Sequence, residues 1–173
     1  MKKSEIKIMP EYFDRYINLV EDIDMLAALE KYGINYLKAE IPKFEQLGDK
    51  IYAPNKWTIN DILQHVIDIE RIFCYRALRF ARHDETPLPG MDENLYASNA
   101  IATERKLEDL EAEFNFTRQS SISLFKSFNN EMLKSSGTAS NKQISVLALG
   151  FMLSGHFIHH FNVIKERYYP LIG

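Results

Sequence analysis

An apolar stretch near the carboxyl end, residues 144–164 with the sequence ISVLALGFMLSGHFIHHFNVI, most constrains how this chain can fold. It is about as long as a helix that spans a bilayer. Three histidines lie in this stretch, however, and no other segment of the chain resembles a membrane span. A helix that is apolar on nearly all sides can equally form the centre of a soluble core. The sequence therefore predicts a buried helix and no membrane partner.

Hydrophobic spacing predicts three further long helices and no strand. The second helix has the clearest start, because Thr58 is a typical N-cap and Asp61 stands three residues later, as in a capping box. No segment shows sustained alternation of apolar and polar residues, so we predict an all-α four-helix bundle, in one domain over residues 1–173. The four predicted helices cover residues 22–40, 58–83, 102–133 and 144–168.

Loop lengths predict how the helices are connected. Nearly 20 residues, including the sequence DETPLPGMDEN, separate the second and third helices, which is long for neighbours in a compact bundle. A loop of that length can run the full length of a bundle and let the two helices point the same way. The second and fourth helices are then antiparallel.

The histidines of the fourth helix form a candidate metal site. His156 and His160 are four residues apart and share one helix face, so the two imidazoles can chelate one ion. His159 stands at the edge of that face and is a candidate for supporting the site or contacting substrate. A buried histidine bonded to a backbone carbonyl is the alternative to metal binding for this pair.

A third ligand is available on the second helix. His65 faces the predicted core about seven residues from the start of its helix, and His160 lies about nine residues from the end of the fourth. In an antiparallel pair the two residues come level to within roughly 3 Å, at about 1.5 Å rise per residue. Three imidazoles with one open position are typical of a catalytic divalent site, and both zinc and nickel suit them.

Two other residues of the second helix are candidates for supporting roles. Asp68, three residues after His65, either orients that imidazole ring or lies on a solvated face. Arg76, eleven residues after His65, lies nearly on the same stripe. It either holds an anionic group of a substrate or thiol, or forms a structural ion pair.

Composition and missing motifs exclude several classes of function. Phe157 occupies the position of the glutamate in the H-E-x-x-H protease motif, so a protease is disfavoured. The net charge is −3, without a basic block, which disfavours nucleic-acid binding. The amino-terminal sequence has no apolar run typical of a signal peptide. Cys74 is the one cysteine and cannot form an internal disulfide, so a cytoplasmic location is expected.

The combination of KWT-x6-H, ending at His65, with the late GHxxHH resembles the DinB/YfiT-like family of four-helix metalloproteins. The resemblance covers about residues 20–169. It implies a bundle with a long crossover between the second and third helices and a metal held by His65, His156 and His160. Characterised relatives are thiol-dependent transferases and isomerases, which implies a low-molecular-weight thiol as a second cofactor.

Three functions remain open from the sequence. The first is a thiol-dependent S-transferase acting on small electrophiles, and the second is a hydrolase using metal-bound water. The third is a non-catalytic metal-binding protein of a stress response. A small-molecule substrate is expected for both enzymes, and a small, aromatic-rich bundle is compatible with a homodimer.

Overall fold

The computed structural model describes residues 1–173 and shows helices and one small hairpin. The helices are α1 (Asp14–Ile17), α2 (Met25–Lys31), α3 (Ile34–Lys38), α4 (Ile41–Leu47), α5 (Ile59–Ala81), α6 (Glu93–Ala100), α7 (Leu107–Lys126), α8 (Asn130–Lys134) and α9 (Val146–Arg167). Short 3-10 helices cover Lys3–Glu5, Ala102–Glu104 and Tyr169–Leu171. The strands are β1 (Ser136–Ala139) and β2 (Lys142–Ser145).

Four helical walls enclose one core. The long helix α5 packs against α7 and α9, and α2 packs against the same two helices from the opposite corner. Helix α3 continues the α2 wall along α7. The prediction of an all-α four-helix bundle is confirmed.

Contacts along α5 show the predicted crossover. Residues near the start of α5 contact residues just before α7, and residues further along α5 contact residues further along α7. Asn60 donates to the Arg105 carbonyl, and Cys74 lies beside Ser121. The two helices therefore run in the same direction. Partners in α9 change in the opposite sense, since Tyr168 donates to Trp57 and His156 meets His65. Helices α5 and α9 are thus antiparallel, as the loop lengths predict.

The apolar helix α9, predicted as the fourth long helix, lies in the core. Within the segment Val146–Leu171, 78% of the most apolar 18-residue stretch is buried inside the protein. The start of α5 also matches its prediction, since the Thr58 hydroxyl accepts from the Asp61 backbone N–H and the Asp61 carboxylate accepts from the Thr58 N–H. Both helices that carry the candidate ligands are therefore fixed by local sequence and by burial.

The prediction of one continuous first helix was wrong. The chain leaves the helical conformation at Tyr32, and a new helix starts after Gly33. A Cβ on Gly33 would lie 3.0 Å from the Glu30 carbonyl oxygen, which is tighter than side chains normally tolerate. The break frees the carbonyls of Leu29 and Tyr32, and both accept hydrogen bonds from Arg118. A tertiary contact thus stabilises an interruption that helix spacing does not predict.

The predicted third helix, residues 102–133, is also divided. Arg105 is extended, so the long part starts at Leu107. It ends at Lys126, and Asn129 caps a separate short helix by accepting from the Met132 backbone N–H. Only the central part of this prediction holds.

The hairpin of β1 and β2 was missed by the sequence analysis. Its two-residue turn, Ser140–Asn141, has positive φ at both residues, as a type I′ turn requires. Strands of four residues are too short for alternation to reveal them. A Cβ on Gly137 would lie 2.2 Å from the Phe80 ring, so the hairpin packs closely on the end of α5.

Gly155 lets the amino-terminal segment approach α9 closely. A Cβ there would lie 2.1 Å from the Tyr16 carbonyl oxygen. Gly155→Ala should destabilise the protein by roughly 1–3 kcal/mol, since the backbone clash outweighs the gain of about 1 kcal/mol in helix propensity. Urea denaturation measures the change. Gly90→Ala is the control, because its Cβ would meet Ser140 Oγ at 3.4 Å, and an equal loss in both variants would contradict the clash.

Candidate metal centre

Three histidine side chains from two helices meet in the bundle. The Nε2 atoms of His65 and His156 are 3.2 Å apart, and those of His160 and His156 are 3.0 Å apart. All three candidate donor atoms lie within 4.8 Å of one another. The antiparallel arrangement of α5 and α9 therefore brings together the three residues that the sequence selected.

This donor set fits a divalent metal ion. An ion bound tetrahedrally at about 2.0–2.1 Å from each nitrogen holds those nitrogens about 3.3 Å apart, close to the two shortest distances here. One lone pair on His156 Nε2 cannot satisfy both neighbouring rings by hydrogen bonding alone. A cation shared by all three nitrogens would satisfy them together.

Burial keeps the three imidazoles neutral, as metal ligands must be. Burial lowers the pKa of His65 to about 4, with a smaller contribution from His159. Burial and the neighbouring histidines hold the pKa values of His156 and His160 well below the usual 6.5. Near neutral pH each lone pair is thus free for a cation.

The lowered pKa values predict that the metal-free protein loses stability on acidification. Below pH 6.5 the histidines are protonated in the unfolded chain, whereas folded His65 stays neutral down to about pH 4. The unfolded state then binds more protons, so the free energy of unfolding falls as the pH falls through this window. For His65 the loss is at most about 3 kcal/mol.

Urea midpoints between pH 7 and pH 4.5, with a chelator present, measure this slope. His65→Gln should show a shallower slope than the wild type. His83→Asn is the control because His83 is exposed and far along the chain from the cluster. Parallel wild-type and His65→Gln curves would contradict the assignment of the slope to this group.

Aromatic side chains enclose the cluster. The Trp57 ring lies 4.8 Å from the His65 ring and stacks over His160 at 6.5 Å. Tyr16 meets the His156 ring edge-on at 5.4 Å, and Phe73 does so at 6.2 Å. Such a shell excludes water on most sides and strengthens electrostatic interactions at the centre.

The supporting residues proposed from the sequence have different positions. His159 is outside the cluster; its ring packs on Tyr16 at 5.2 Å and borders a cleft with His160. Of the two alternatives for Asp68, the contacts favour the one in which it does not orient His65: its carboxylate accepts from the Gln64 side chain at 3.0 Å and makes no hydrogen bond to His65. Arg76 is buried but forms no ion pair; it donates to the Pro89 carbonyl and to Ser140.

Two clefts reach the cluster from different sides. The smaller, about 240 Å³, is lined by Trp57, His159 and His160. The larger, about 450 Å³, contains His156 and Arg76. The centre is therefore accessible to small molecules although its histidines are mostly buried.

The sequence analysis did not identify the amino-terminal contribution to the site. Phe13 and Tyr16 line the larger cleft, and Phe13 packs on Phe73 at 6.5 Å. The aromatic cluster EYFDRY was the available signal, but nothing local shows that it packs on α9. The close approach at Gly155 lets it pack there.

Comparison with known proteins gives a consistent assignment. A family model of the DinB superfamily matches residues 15–164, which include all three histidines. Among solved structures, YfiT from Bacillus subtilis, described as a probable metal-dependent hydrolase with an unusual four-helix bundle topology, is similar with a TM-score of 0.65. The match has 17% identity and covers 95% of this chain and 90% of YfiT, so it shows the fold. No curated protein matches the chain in a sequence search.

Proposed function

The chain belongs to the DinB superfamily, and on that premise we propose that it is a metal-dependent hydrolase of small molecules, with His65, His156 and His160 as the metal ligands. The observation that carries the proposal is the convergence of three neutral imidazoles on one point beside two open clefts. The description of YfiT as a probable metal-dependent hydrolase supports it. Zinc and nickel both suit this donor set.

Three protein ligands are typical of catalytic rather than structural sites. A divalent ion held there would lower the pKa of a water molecule or thiol at the remaining position and supply a nucleophile near neutral pH. Trp57 and Phe73 hold the imidazole rings in place and limit access of bulk water. The clefts let a substrate approach the centre beside His156 or His160.

Thiol transfer is the second candidate, and the presence of two clefts favours it. A transferase must bring a thiol and an electrophile to one centre, and clefts on the His160 and His156 sides offer separate approaches. A hydrolase needs only one organic substrate. This second proposal includes a low-molecular-weight thiol as cofactor and a location in the cytoplasm.

The test is a turnover assay of the protein loaded with zinc or nickel. Activated esters and amides report hydrolysis, and an activated aryl halide with a small thiol reports transfer. We expect metal-dependent turnover that is lost in His156→Ala. Rates no higher than those of the free metal ion in both assays would contradict an enzyme and favour a non-catalytic metal-binding protein.

A further inference from the structure

The larger cleft contains a buried positive charge that the fold does not neutralise. Arg76 is 4% exposed, and its Nη2 donates to the Pro89 carbonyl at 2.9 Å and to Ser140 Oγ at 3.3 Å. Both acceptors are uncharged. The other buried arginine, Arg118, forms two hydrogen bonds to the Glu70 carboxylate. Buried charges are normally paired in this way, so Arg76 lacks the anion expected beside it.

Two donor atoms of the Arg76 guanidinium group remain free. Its Nε and Nη1 make no hydrogen bond within the protein. Ser154 Oγ is the one fully buried side-chain polar atom without a partner, so both nitrogens of Arg76 keep contact with solvent. Arg76 is one of the residues that line the larger cleft, so a ligand in the cleft lies beside these free donors. A ligand there can therefore accept hydrogen bonds from a guanidinium in a water-poor environment.

Arg76 is the buried positive charge at this cleft, because the other charged residues there are paired or exposed. Lys142 pairs with Glu11, so these two charges offset each other. Glu93 is exposed and therefore well screened by water. No carboxylate contacts the guanidinium from α5, the crossover segment or the hairpin.

The distances to the metal centre suit one small molecule. The Arg76 guanidinium carbon lies 5.8 Å from the Phe73 ring centre, and that ring lies 6.2 Å from His156. Phe13 and Tyr16 add further aromatic surface to the same cleft. The guanidinium carbon and the His156 ring are therefore at most about 12 Å apart, so a small compound held at Arg76 can extend towards the histidines.

We propose that the substrate of this site is a small carboxylate, whose carboxylate group binds Arg76 while its apolar body packs on Phe13, Tyr16 and Phe73. The statement that the bound molecule is a substrate rests on the proposed function. The binding itself depends only on the cleft. Arg76 orients the carboxylate end, so the opposite end of the molecule faces His156.

The test compares benzoate with its uncharged analogue benzamide. Calorimetric titrations use the full-length protein with a chelator, so that the carboxylate cannot bind a metal ion instead. A hydrogen-bonded charge in a water-poor site should favour benzoate over benzamide by roughly 10- to 100-fold. Equal affinity of the two compounds for the wild type, or no binding of benzoate, would overturn the proposal.

Matched variants assign the preference to Arg76. Arg76→Met should remove it, and Arg76→Lys should retain part of it, since lysine keeps the charge without the planar donors. Arg82→Met is the control, because Arg82 is exposed on the turn after α5 and outside the cleft. A benzoate preference that persists in Arg76→Met would overturn the assignment.

A second measurement locates the ligand without any substitution at Arg76. With 13C-methyl methionine labelling, the methyl signal of Met91, which lines the cleft, should shift on addition of benzoate. The signal of Met132, which lies outside the cleft, should not. A shift of Met132 alone would overturn the location. These titrations need no metal, so they test the binding site separately from the enzyme. A benzoate preference together with no turnover by the metal-loaded protein would refute the hydrolase and leave the binding site intact.

Discussion

Replacement of His65 by alanine is expected to abolish metal binding, although two of the three ligands remain on α9. Wild-type protein reconstituted with zinc or nickel should hold about one ion per chain at a site with three imidazole donors. Loss of one donor should weaken binding by more than about 100-fold, since even changes in the outer shell cost 10- to 100-fold. His156→Ala should have the same effect, because its Nε2 lies closest to both other rings.

Elemental analysis after dialysis gives the metal content of each variant. His83→Asn is the matched control: it removes an exposed histidine, and asparagine tolerates the positive φ at this position. Circular dichroism distinguishes loss of metal from loss of fold. Full metal content in His65→Ala would show that α9 binds the ion alone and would contradict a site shared between the two helices.

Arg118→Met is expected to cause a large loss of stability, because it breaks a buried ion pair between α7 and α5. Arg118 and Glu70 are 1% and 2% exposed, and two hydrogen bonds of 2.8 Å join them. The substitution leaves the Glu70 carboxylate buried without its guanidinium partner, with the Ser121 hydroxyl as its remaining donor. Loss of the charged partner costs about 3–5 kcal/mol. It also removes the donor to the Leu29 and Tyr32 carbonyls. The melting temperature should fall by roughly 10 °C.

The double variant Glu70→Met with Arg118→Met separates these two contributions. It removes the unpaired charge, so it should be more stable than Arg118→Met alone. It should remain less stable than the wild type, because the freed carbonyls at the helix break still lack a donor. Lys126→Met is the control, since it disrupts only the exposed Lys126–Glu30 pair and should change the melting temperature little. A double variant as unstable as Arg118→Met would contradict this explanation.

Much of the fold could be predicted because the relevant signals are local. The capping residues Thr58 and Asp61 mark the start of α5, and the apolar composition of α9 marks it as a core helix. The prediction of one continuous first helix was wrong at Gly33. The break there is stabilised by hydrogen bonds from Arg118, which lies 86 residues after Tyr32 in the chain. Helix spacing cannot register such a partner.

The candidate site divides in the same way. By itself the sequence determined which three histidines can share a metal, since their spacing and the length of the crossover are properties of the chain. Only the tertiary structure decided that Asp68 bonds Gln64 and not His65, that Tyr16 and Phe13 line the cleft, and that Arg76 has no carboxylate partner. The physical reason is that residue spacing fixes the face on which a side chain lies. What that side chain meets depends on the packing of segments far apart in the chain.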